Sequence, residues 1–466
     1  MTYSDKDELQ AEPVDRLFER KKASTGSVSV EKQFFIADGA ESRDYYFELD
    51  TLIKNFREKV KSDTGREPEG ITVSGLENTG LNITVSPDYL QGTISGVPDV
   101  SGTLTVTLTA LPQNITLEVS FELLPDPKKL WKQIPSQFDR YERADDEIAS
   151  ISPDKSGADG GETSSEQGLT VIGASHRGRS HAHEGKPRDD SMGMYYDRDS
   201  GWYVTVVADG AGSAKYSRKG SEIACSTALD ICRMKLTADG ELASLIDRYV
   251  NTVSAEEKSE EIIRLQKSIK LKLYYILPVC ALESRKKIIS EARSVNSSLS
   301  GDAPEKQYSE KDYATTLLIA VAKRSRDRWF TASFSIGDGA IAVLQDDGEL
   351  CLMSEGDSGD FAGQTRFITM ASVYADASAI VRRIKMHVCG RPAAIMLMTD
   401  GVSDPKFASD TEMESAHAWQ SLFKELKDNR IITDSDPADD EAQRLLEWLD
   451  FWSPGNHDDR TIVILH

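Results

Sequence analysis

GWYVTVVADG, residues 201–210, places a run of strand-forming residues directly before an Asp-Gly pair. The WYVTVVA part has no charged side chain, and such a continuous apolar run is typical of a strand whose sheet is covered by other elements. The glycine at position 210 lets the backbone turn close to the preceding carboxylate. The stretch therefore predicts a buried strand that ends on an aspartate, Asp209.

The same arrangement occurs twice more toward the C-terminus. FTASFSIGDG leads to Asp338 and AAIMLMTDG leads to Asp400, while Asp-Asp pairs at 189–190 and 458–459 precede further strand patterns. A single Asp-Gly pair is weak evidence, because most such pairs only form turns. Carboxylates at adjacent strand ends can, however, converge on hard cations such as Mg²⁺ or Mn²⁺. Together these aspartates predict a polycarboxylate metal site.

Strand and helix patterns continue from Leu169 to the last residue, His466. The apolar runs YATTLLIAVA, AIAVLQ and RTIVIL predict further strands, and helical patterns lie between the strands. Sheets of such strands are covered by helices, so we predict an α+β fold for residues 168–466. The long charged segment at 241–297 fits either a solvated helix within this domain or a helix that binds a partner.

The N-terminal part of the chain has a different pattern. Between Ile71 and Leu124, the runs GTLTVTLTAL and NITLEVSFEL alternate apolar and polar residues and are separated by turn residues. We predict a small all-β, immunoglobulin-like accessory module over residues 31–124, preceded by a mobile N-terminus at 1–30. Within the module, a helical pattern is formed by Leu52, Ile53, Phe56 and Val60.

Residues 125–167 are predicted to be a linker. Their second half reads ISPDKSGADGGETSSEQG and has almost no apolar residues. Such a segment cannot bury enough apolar surface to offset the entropy of ordering it.

The composition excludes some classes of function. Asp and Glu number 77 against 55 Lys and Arg, a net charge of −22, which disfavours nucleic acid as the main partner. Five cysteines without a C-x-x-C pair suggest neither a disulfide framework nor a zinc knuckle. The polar N-terminus lacks a signal-peptide core, and no apolar run approaches the roughly 20 residues that span a bilayer. We expect a cytoplasmic protein that binds neither nucleic acid nor membrane.

Seven motifs follow one another in the order found in protein phosphatase 2C-like enzymes, which residues 168–466 resemble. They are RSHAHEGKPRDDS, VVADGAGSAKYSRKGSEIA, YATTLLIAVA, FSIGDGAIAVL, GQTRFIT, MLMTDGVSD and HDDRTIVIL. The first is similar to the bacterial motif S-H-x-x-x-G-x-P-x-x-D, matched by Ser180, His181, Gly185, Pro187 and Asp190. The resemblance implies two packed β-sheets flanked by helices, with metals in a cleft at one edge.

The resemblance also implies an activity: metal-dependent hydrolysis of phosphoserine and phosphothreonine on proteins by a metal-activated water. The cofactors would be two Mg²⁺ or Mn²⁺ ions, with a third as an option, and a Ser/Thr kinase would be the functional opposite. By position, Asp209 matches the family's aspartate that bridges both metals, and Gly210 matches the glycine whose carbonyl is a ligand. Asp400 and Asp458 match the other direct carboxylate ligands. Asp190 matches an aspartate that acts through metal-bound water, and Asp338 matches a residue of the third metal site.

The chain departs from the family pattern at two functions. Ala211 stands where animal enzymes have a histidine that protonates the leaving group, so His181 and His183 are the candidates for this role. The family's phosphate-binding arginine would fall at Gly185. Its candidate substitutes are Arg177, Arg179 and Arg188. Asp459, where the family often has asparagine, is interpreted as a supporting or turn residue.

Two alternative functions remain compatible with the sequence. One is a catalytically weak, phosphatase-like scaffold that binds a phosphoprotein or a kinase. The other is a hydrolase of small phosphate esters, because pocket size cannot be deduced from sequence. In either case the N-terminal module is a candidate for binding another protein.

Overall fold

The computed structural model describes residues 27–30, 35–40, 45–124, 126–153, 168–253, 260–299, 307–356, 365–433 and 435–466. The chain divides into two compact units, residues 1–131 and residues 132–466. Most of the predicted mobile N-terminus and the second half of the predicted linker lie outside the described residues. No helix within the described ranges has both the length and the apolar character needed to cross a membrane.

Within its described residues, the N-terminal unit contains two sheets and one α-helix. Its strands are β1 Ser27–Val30, β2 Phe35–Ala40, β3 Tyr45–Glu48, β4 Gly70–Ser74, β5 Leu81–Val85, β6 Gly92–Gly96, β7 Gly102–Leu111 and β8 Ile115–Leu124. The strand order is β1-β8-β7-β4 in one sheet, where β2 also pairs with β8, and β3-β6-β5 in the other. The helix, α1, covers Asp50–Thr64.

Helix α1 corrects the prediction of an all-β module. Its four buried side chains are those of the predicted helical pattern, Leu52, Ile53, Phe56 and Val60. They join one hydrophobic core with residues of both sheets, such as Ile94 of β6 and Leu108 of β7. The unit is therefore mixed α and β, and an immunoglobulin-like relationship remains a prediction.

The C-terminal unit contains the remaining strands and helices. The strands are β9 Asp146–Ile151, β10 Val171–His176, β11 Ser191–Tyr196, β12 Trp202–Ala208, β13 Leu317–Ser325, β14 Arg328–Ile336, β15 Ala340–Gln345, β16 Leu350–Leu352, β17 Lys385–Cys389, β18 Pro392–Met398 and β19 Arg460–Leu465. The helices are α2 Arg179–Glu184, α3 Ser217–Ala238, α4 Gly240–Thr252, α5 Glu260–Tyr274, α6 Leu277–Ser298, α7 Ala377–Arg382, α8 Asp400–Lys406, α9 Asp410–Met413, α10 Ala416–Asp428 and α11 Ala438–Leu449.

Two sheets of this unit pack face to face. One has the order β16-β15-β18-β19-β10-β9 and the other β11-β12-β13-β14-β17. Val171 and Val463 from the first sheet share a buried core with Tyr203 and Leu318 from the second. The predicted α+β fold of this region, with helices flanking sheets, is thereby confirmed.

Helices cover the outer faces of both sheets, which explains the continuous apolar runs. In β12, Tyr203 and Val207 face the core between the sheets. Trp202, Val204 and Val206 of the same strand face the helical side, where they meet α3 to α6. Because successive side chains of a strand point to opposite faces, both sets must be apolar. Helices α10 and α11 cover the other sheet through residues such as Trp419 and Leu445.

The charged segment 241–297 forms part of this helical cover. Most of its described residues lie in α4, α5 and α6, whose apolar sides, including Ile246, Ile269 and Ile288, are buried against β12 to β14. The structure therefore places the segment within the domain as a layer with a solvated outer side.

The predicted linker is partly folded. Strand β9 pairs antiparallel with β10, from Asp146 opposite His176 to Ile151 opposite Val171. Ala149 and Ile151 also pack against the core between the sheets. The sequence DEIASI is short and half polar, so it does not stand out as a strand until its partner is known. Residues 154–167 of the predicted linker are outside the described part of the chain.

We expect the two units to unfold in separate transitions, because their hydrophobic cores share no residues. Phe56→Ala in the N-terminal core should destabilise that unit by about 3–5 kcal/mol. Trp419→Ala should lower the stability of the C-terminal unit by a similar amount. Differential scanning calorimetry of the full chain would show each substitution lowering a different transition; a shift of both by either one would contradict the division.

Candidate metal centre

The strand-end aspartates converge at one edge of the two packed sheets. Asp209 follows β12 of one sheet, Asp400 begins α8 directly after β18 of the other, and Asp338 lies in the turn between β14 and β15, which joins them. One carboxylate oxygen from each of the three lies within 4.8 Å of the others. Three of the residues that the sequence assigned to a metal site thus form a single cluster.

The glycines of two Asp-Gly pairs permit this convergence. A Cβ atom at Gly210 would lie 2.5 Å from the carbonyl oxygen of Asp189, and one at Gly401 would lie 1.9 Å from that of Asp459. Real Cβ atoms do not approach backbone oxygens this closely, so larger residues would push the segments apart. Each Asp-Gly turn therefore packs against one of the Asp-Asp pairs.

Threonine hydroxyl groups fix the backbone and carboxylates of the cluster. The Asp209 N–H donates to Thr316 Oγ1 at 2.8 Å. Thr399 Oγ1 donates to Asp190 Oδ2 at 2.9 Å and Thr461 Oγ1 donates to the same oxygen at 2.7 Å. Asp190 is fully buried, and it is held between the ends of β18 and β19 by these two bonds.

Asp459 anchors the segment that carries the first motif, residues 177–191, here called the first-motif loop. Its Oδ1 accepts from the Gly178 N–H at 2.6 Å, and its Oδ2 accepts from the Asp189 N–H at 2.5 Å. His181 Nδ1 lies 3.0 Å from the same Oδ2. Burial favours the neutral acid, but the charge of His181 and these hydrogen bonds outweigh it and hold the pKa of Asp459 below its usual range. The supporting role expected for Asp459 agrees with these contacts.

His181 faces aspartates with both ring nitrogens. Nδ1 meets Asp459, and Nε2 lies 3.9 Å from Asp189 Oδ2. Burial alone would lower the pKa of His181, but the negative charge of Asp459 dominates and raises it to about 9. His183, the other candidate proton donor, accepts the Lys132 N–H at Nδ1, at 3.1 Å.

The cluster carries more negative charge than its surroundings compensate. Loss of hydration, followed by the charge of neighbouring aspartates, raises the pKa of Asp209 and Asp400 well above the usual range. The same two causes raise the pKa of Asp190 to about 7. Asp458 is exposed, but nearby protein atoms remove part of its hydration. This loss of hydration, followed by the negative charge of Asp459, raises the pKa of Asp458 as well.

This arrangement fits divalent, oxygen-preferring cations. The donors of the Asp209, Asp338 and Asp400 cluster are all carboxylate oxygens, which are ligands that Mg²⁺ and Mn²⁺ prefer. The buried Oδ1 of Asp338 finds no hydrogen-bond partner among the described residues. Such an orphaned oxygen beside mutually repelling carboxylates is costly unless a cation offsets it.

Several residues of the site were missed by sequence reasoning. The Thr365 hydroxyl donates to Asp338 Oδ2, and Asp404 lies near enough to Asp338 that burial and this charge raise its pKa. Asp404 follows Asp400 by four positions on α8, a spacing that puts both on one side of a helix. That spacing was an available signal, whereas the hydroxyl contacts depend on tertiary structure.

The three predicted phosphate-binding arginines are engaged by protein groups. Arg177 donates to the Lys186 carbonyl and pairs with Asp145. Arg188 donates to the Ser175 carbonyl and pairs with Glu147. Arg179 binds Asp450 and the Phe451 carbonyl. Their contacts hold loops together and give no support to a role in binding phosphate.

Comparisons with known proteins agree with the order of the motifs. The family described as "Protein phosphatase 2C" matches residues 177–450. No curated protein matches the chain. A bacterial serine phosphatase is 13% identical, covering 63% of this chain and 96% of its own with a TM-score of 0.34. RsbX in complex with magnesium is 14% identical, covering 64% and 94% with a TM-score of 0.30.

A further similar structure is the serine/threonine phosphatase PstP/Ppp of Mycobacterium tuberculosis. It is 16% identical, covering 64% of this chain and 97% of its own with a TM-score of 0.30. The family match extends over more than half of the chain and includes Asp190, Asp209, Asp338 and Asp400. On this match, the chain belongs to the protein phosphatase 2C family.

Proposed function

We propose that this chain is a metal-dependent protein serine/threonine phosphatase. The observation that carries the proposal is the convergence of Asp209, Asp338 and Asp400, whose oxygens lie within 4.8 Å of one another. Family membership supports a phosphatase, and the uncompensated charge of this cluster supports dependence on a metal. The substrates would be phosphoserine and phosphothreonine residues of proteins.

The cations would be held by the residues that the family resemblance assigns. Asp209, the Gly210 carbonyl, Asp400 and Asp458 would hold two Mg²⁺ or Mn²⁺ ions, with Asp190 acting through water and Asp338 at a third site. When bound, such ions lower the pKa of water to give a nucleophile near neutral pH and offset the charge of the phosphoryl oxygens.

The protein's own residues keep the carboxylates in place. The Thr399 and Thr461 hydroxyls orient Asp190, and the Asp459–His181 pair fixes the loop that carries Asp189 and Asp190. Since Arg177, Arg179 and Arg188 bind protein groups, we assign to the bound cations the positive charge that would meet the phosphate.

His181 is our candidate for the group that protonates the leaving oxygen. Ala211 cannot donate a proton, whereas His181 can, and in the metal-free protein the negative charge of Asp459 outweighs burial and raises the pKa of His181 to about 9. The Nε2 proton faces Asp189, whose own pKa is raised to about 6 by burial and by the charge of Asp459. This pair would hold a proton beside the metal cluster.

In the cell we expect a cytoplasmic signalling enzyme that opposes a Ser/Thr kinase, with an N-terminal unit that binds another protein. The scaffold alternative is favoured by Ala211 and by the engaged arginines. Turnover distinguishes the two readings, because a scaffold would bind a phosphopeptide without hydrolysing it.

We predict that Asp209→Asn and Asp400→Asn each lower the Mn²⁺-dependent hydrolysis of a phosphothreonine peptide by about 100-fold or more, because each removes a charged ligand. A matched control is Asp347→Asn, since Asp347 also precedes a glycine but lies in the β15–β16 turn. The control should retain wild-type kcat/KM. Wild-type turnover by both site variants at saturating Mn²⁺ would refute the assignment.

We also predict a pH effect in the metal-free protein. The folded-state pKa of Asp400 is raised, so the folded protein binds a proton at this carboxylate more tightly than the unfolded chain does. The stabilisation that this proton provides is complete below the unfolded pKa, about 3.9, and is lost as pH rises through the folded pKa. Asn at this position cannot ionise. Asp400→Asn should therefore raise the free energy of unfolding relative to wild type at pH 8, by on the order of 1 kcal/mol or more.

The measurement is urea unfolding in EDTA at pH 5 and pH 8. The advantage of Asp400→Asn over wild type should be smaller at pH 5, and Asp347→Asn should show no such dependence. An Asp400→Asn variant that is less stable than wild type at pH 8 without metal would show that the carboxylates do not repel one another as described.

A further inference from the structure

Residues 132–151, here called the strap, precede the family match at 177–450 but belong to the C-terminal unit. Its first part runs along α2. The Ile134 N–H donates to the Ala182 carbonyl at 2.9 Å, and the Gln137 N–H donates to the Gly185 carbonyl at 2.9 Å. The Lys132 N–H reaches His183. These bonds place the strap against the helix that carries His181.

Arg177 ties the strap to the first-motif loop. Its guanidinium donates to the Ile134 carbonyl at 2.9 Å and pairs with Asp145 at 3.0 Å, while Nε donates to the Lys186 carbonyl at 2.7 Å. Arg177 is 6% exposed, so these partners meet its hydrogen-bonding needs in a site with little water. The next residue, Gly178, is the one whose N–H binds Asp459.

Arg143 and Arg218 join the strap to α3 and to the start of β11. Arg143 donates to the Arg218 carbonyl at 2.9 Å and to Ser191 Oγ at 2.8 Å. Arg218 in turn donates to the Tyr141 carbonyl at 2.8 Å. Ser221 of the same helix donates to the Asp189 carbonyl. Ser191 directly follows Asp190, so the strap is bonded to the residue next to a candidate metal ligand.

Strand β9 provides a further contact between the strap and the first-motif loop. Glu147 of β9 pairs with Arg188 at 2.7 Å, and Arg188, which is 1% exposed, also donates to the Ser175 carbonyl. Arg188 directly precedes Asp189. The strap is therefore bonded on both sides of the Asp189-Asp190 pair, through Arg188 before it and Ser191 after it.

We propose that the strap positions the metal-binding aspartates, so that residues outside the family domain determine how tightly this phosphatase binds its cations. The inference rests on the proposed function. The strap residues act through others. Arg143 bonds to Ser191, next to Asp190, and Asp145 fixes Arg177, whose neighbour Gly178 is bonded to Asp459. Supporting residues of this kind typically change metal affinity by 10–100-fold.

The test uses the full chain with Arg143→Gln and Asp145→Asn. Both remove a charge, and Asp145→Asn does so with little change in volume. The matched control is Asp436→Asn, because Asp436 also pairs with arginines, Arg430 and Arg444, but on α11's side of the unit. Calorimetric titration with Mn²⁺ gives the affinity, and hydrogen exchange of metal-free protein reports on residues 178–191. Asp145→Glu keeps the charge and should restore most of the affinity.

We expect both strap variants to weaken Mn²⁺ binding by about 10-fold or more and to speed exchange in 178–191, with a melting temperature close to that of Asp436→Asn. Mn²⁺ affinity and exchange equal to wild type in both would overturn the proposal. Equal losses in affinity for Asp436→Asn would also overturn it, by showing a general loss of stability. A wild-type chain that neither binds Mn²⁺ nor hydrolyses the peptide would instead refute the proposed function.

Discussion

Repulsion between buried aspartates is the constraint that the C-terminal unit is built to withstand. After burial itself, the charge of Asp400 contributes most to the raised pKa of Asp209, and the charge of Asp338 contributes most to that of Asp400. In the metal-free protein these neighbouring carboxylates therefore oppose ionisation within the cluster. The structure offsets part of this cost with hydroxyl groups that donate to Asp190 and with His181, whose positive charge balances that of Asp459. Under the proposed function, bound cations would relieve the remaining repulsion, and this relief would add to the affinity for metal.

The sandwich supplies the rigidity that this arrangement requires. Aspartates from two sheets can face one another because three hydrophobic cores fix the strand ends. One core lies between the two sheets, and one lies between each sheet and the helices that cover it. A strand such as β12, buried on both faces, has little freedom to shift in register, since a slip by one residue would exchange its two apolar faces. The position of Asp209 is thus set by packing along the whole strand rather than by local turn geometry.

The sequence allowed the candidate metal ligands to be identified but not the residues that support them. Asp209 and Asp400 could be found because an apolar run followed by Asp-Gly is visible along the chain. Thr399 and Thr461 could not, because their common target, Asp190, lies more than 200 residues away. Arg177 and Arg188 were assigned to phosphate from their nearness to Asp190 in sequence, which does not show which way a long side chain points. Helix α1 was evident from the spacing of its apolar residues, whereas β9 is too short and too polar to be identified as a strand from sequence.

Strand β9 also determines what the C-terminal unit exposes to other molecules. It occupies the edge of the six-stranded sheet, so β10, with Val171, Ile172 and Ala174 all buried, is an inner strand. Without β9 the backbone groups of β10 on that side would be unpaired, and an apolar edge of this kind can pair with strands of other chains. At the opposite edge the three-residue strand β16 offers little length for such pairing. A fragment begun at residue 168, which keeps β10 but lacks β9, would therefore be prone to self-association, while one that also keeps β9 would have its long edge protected.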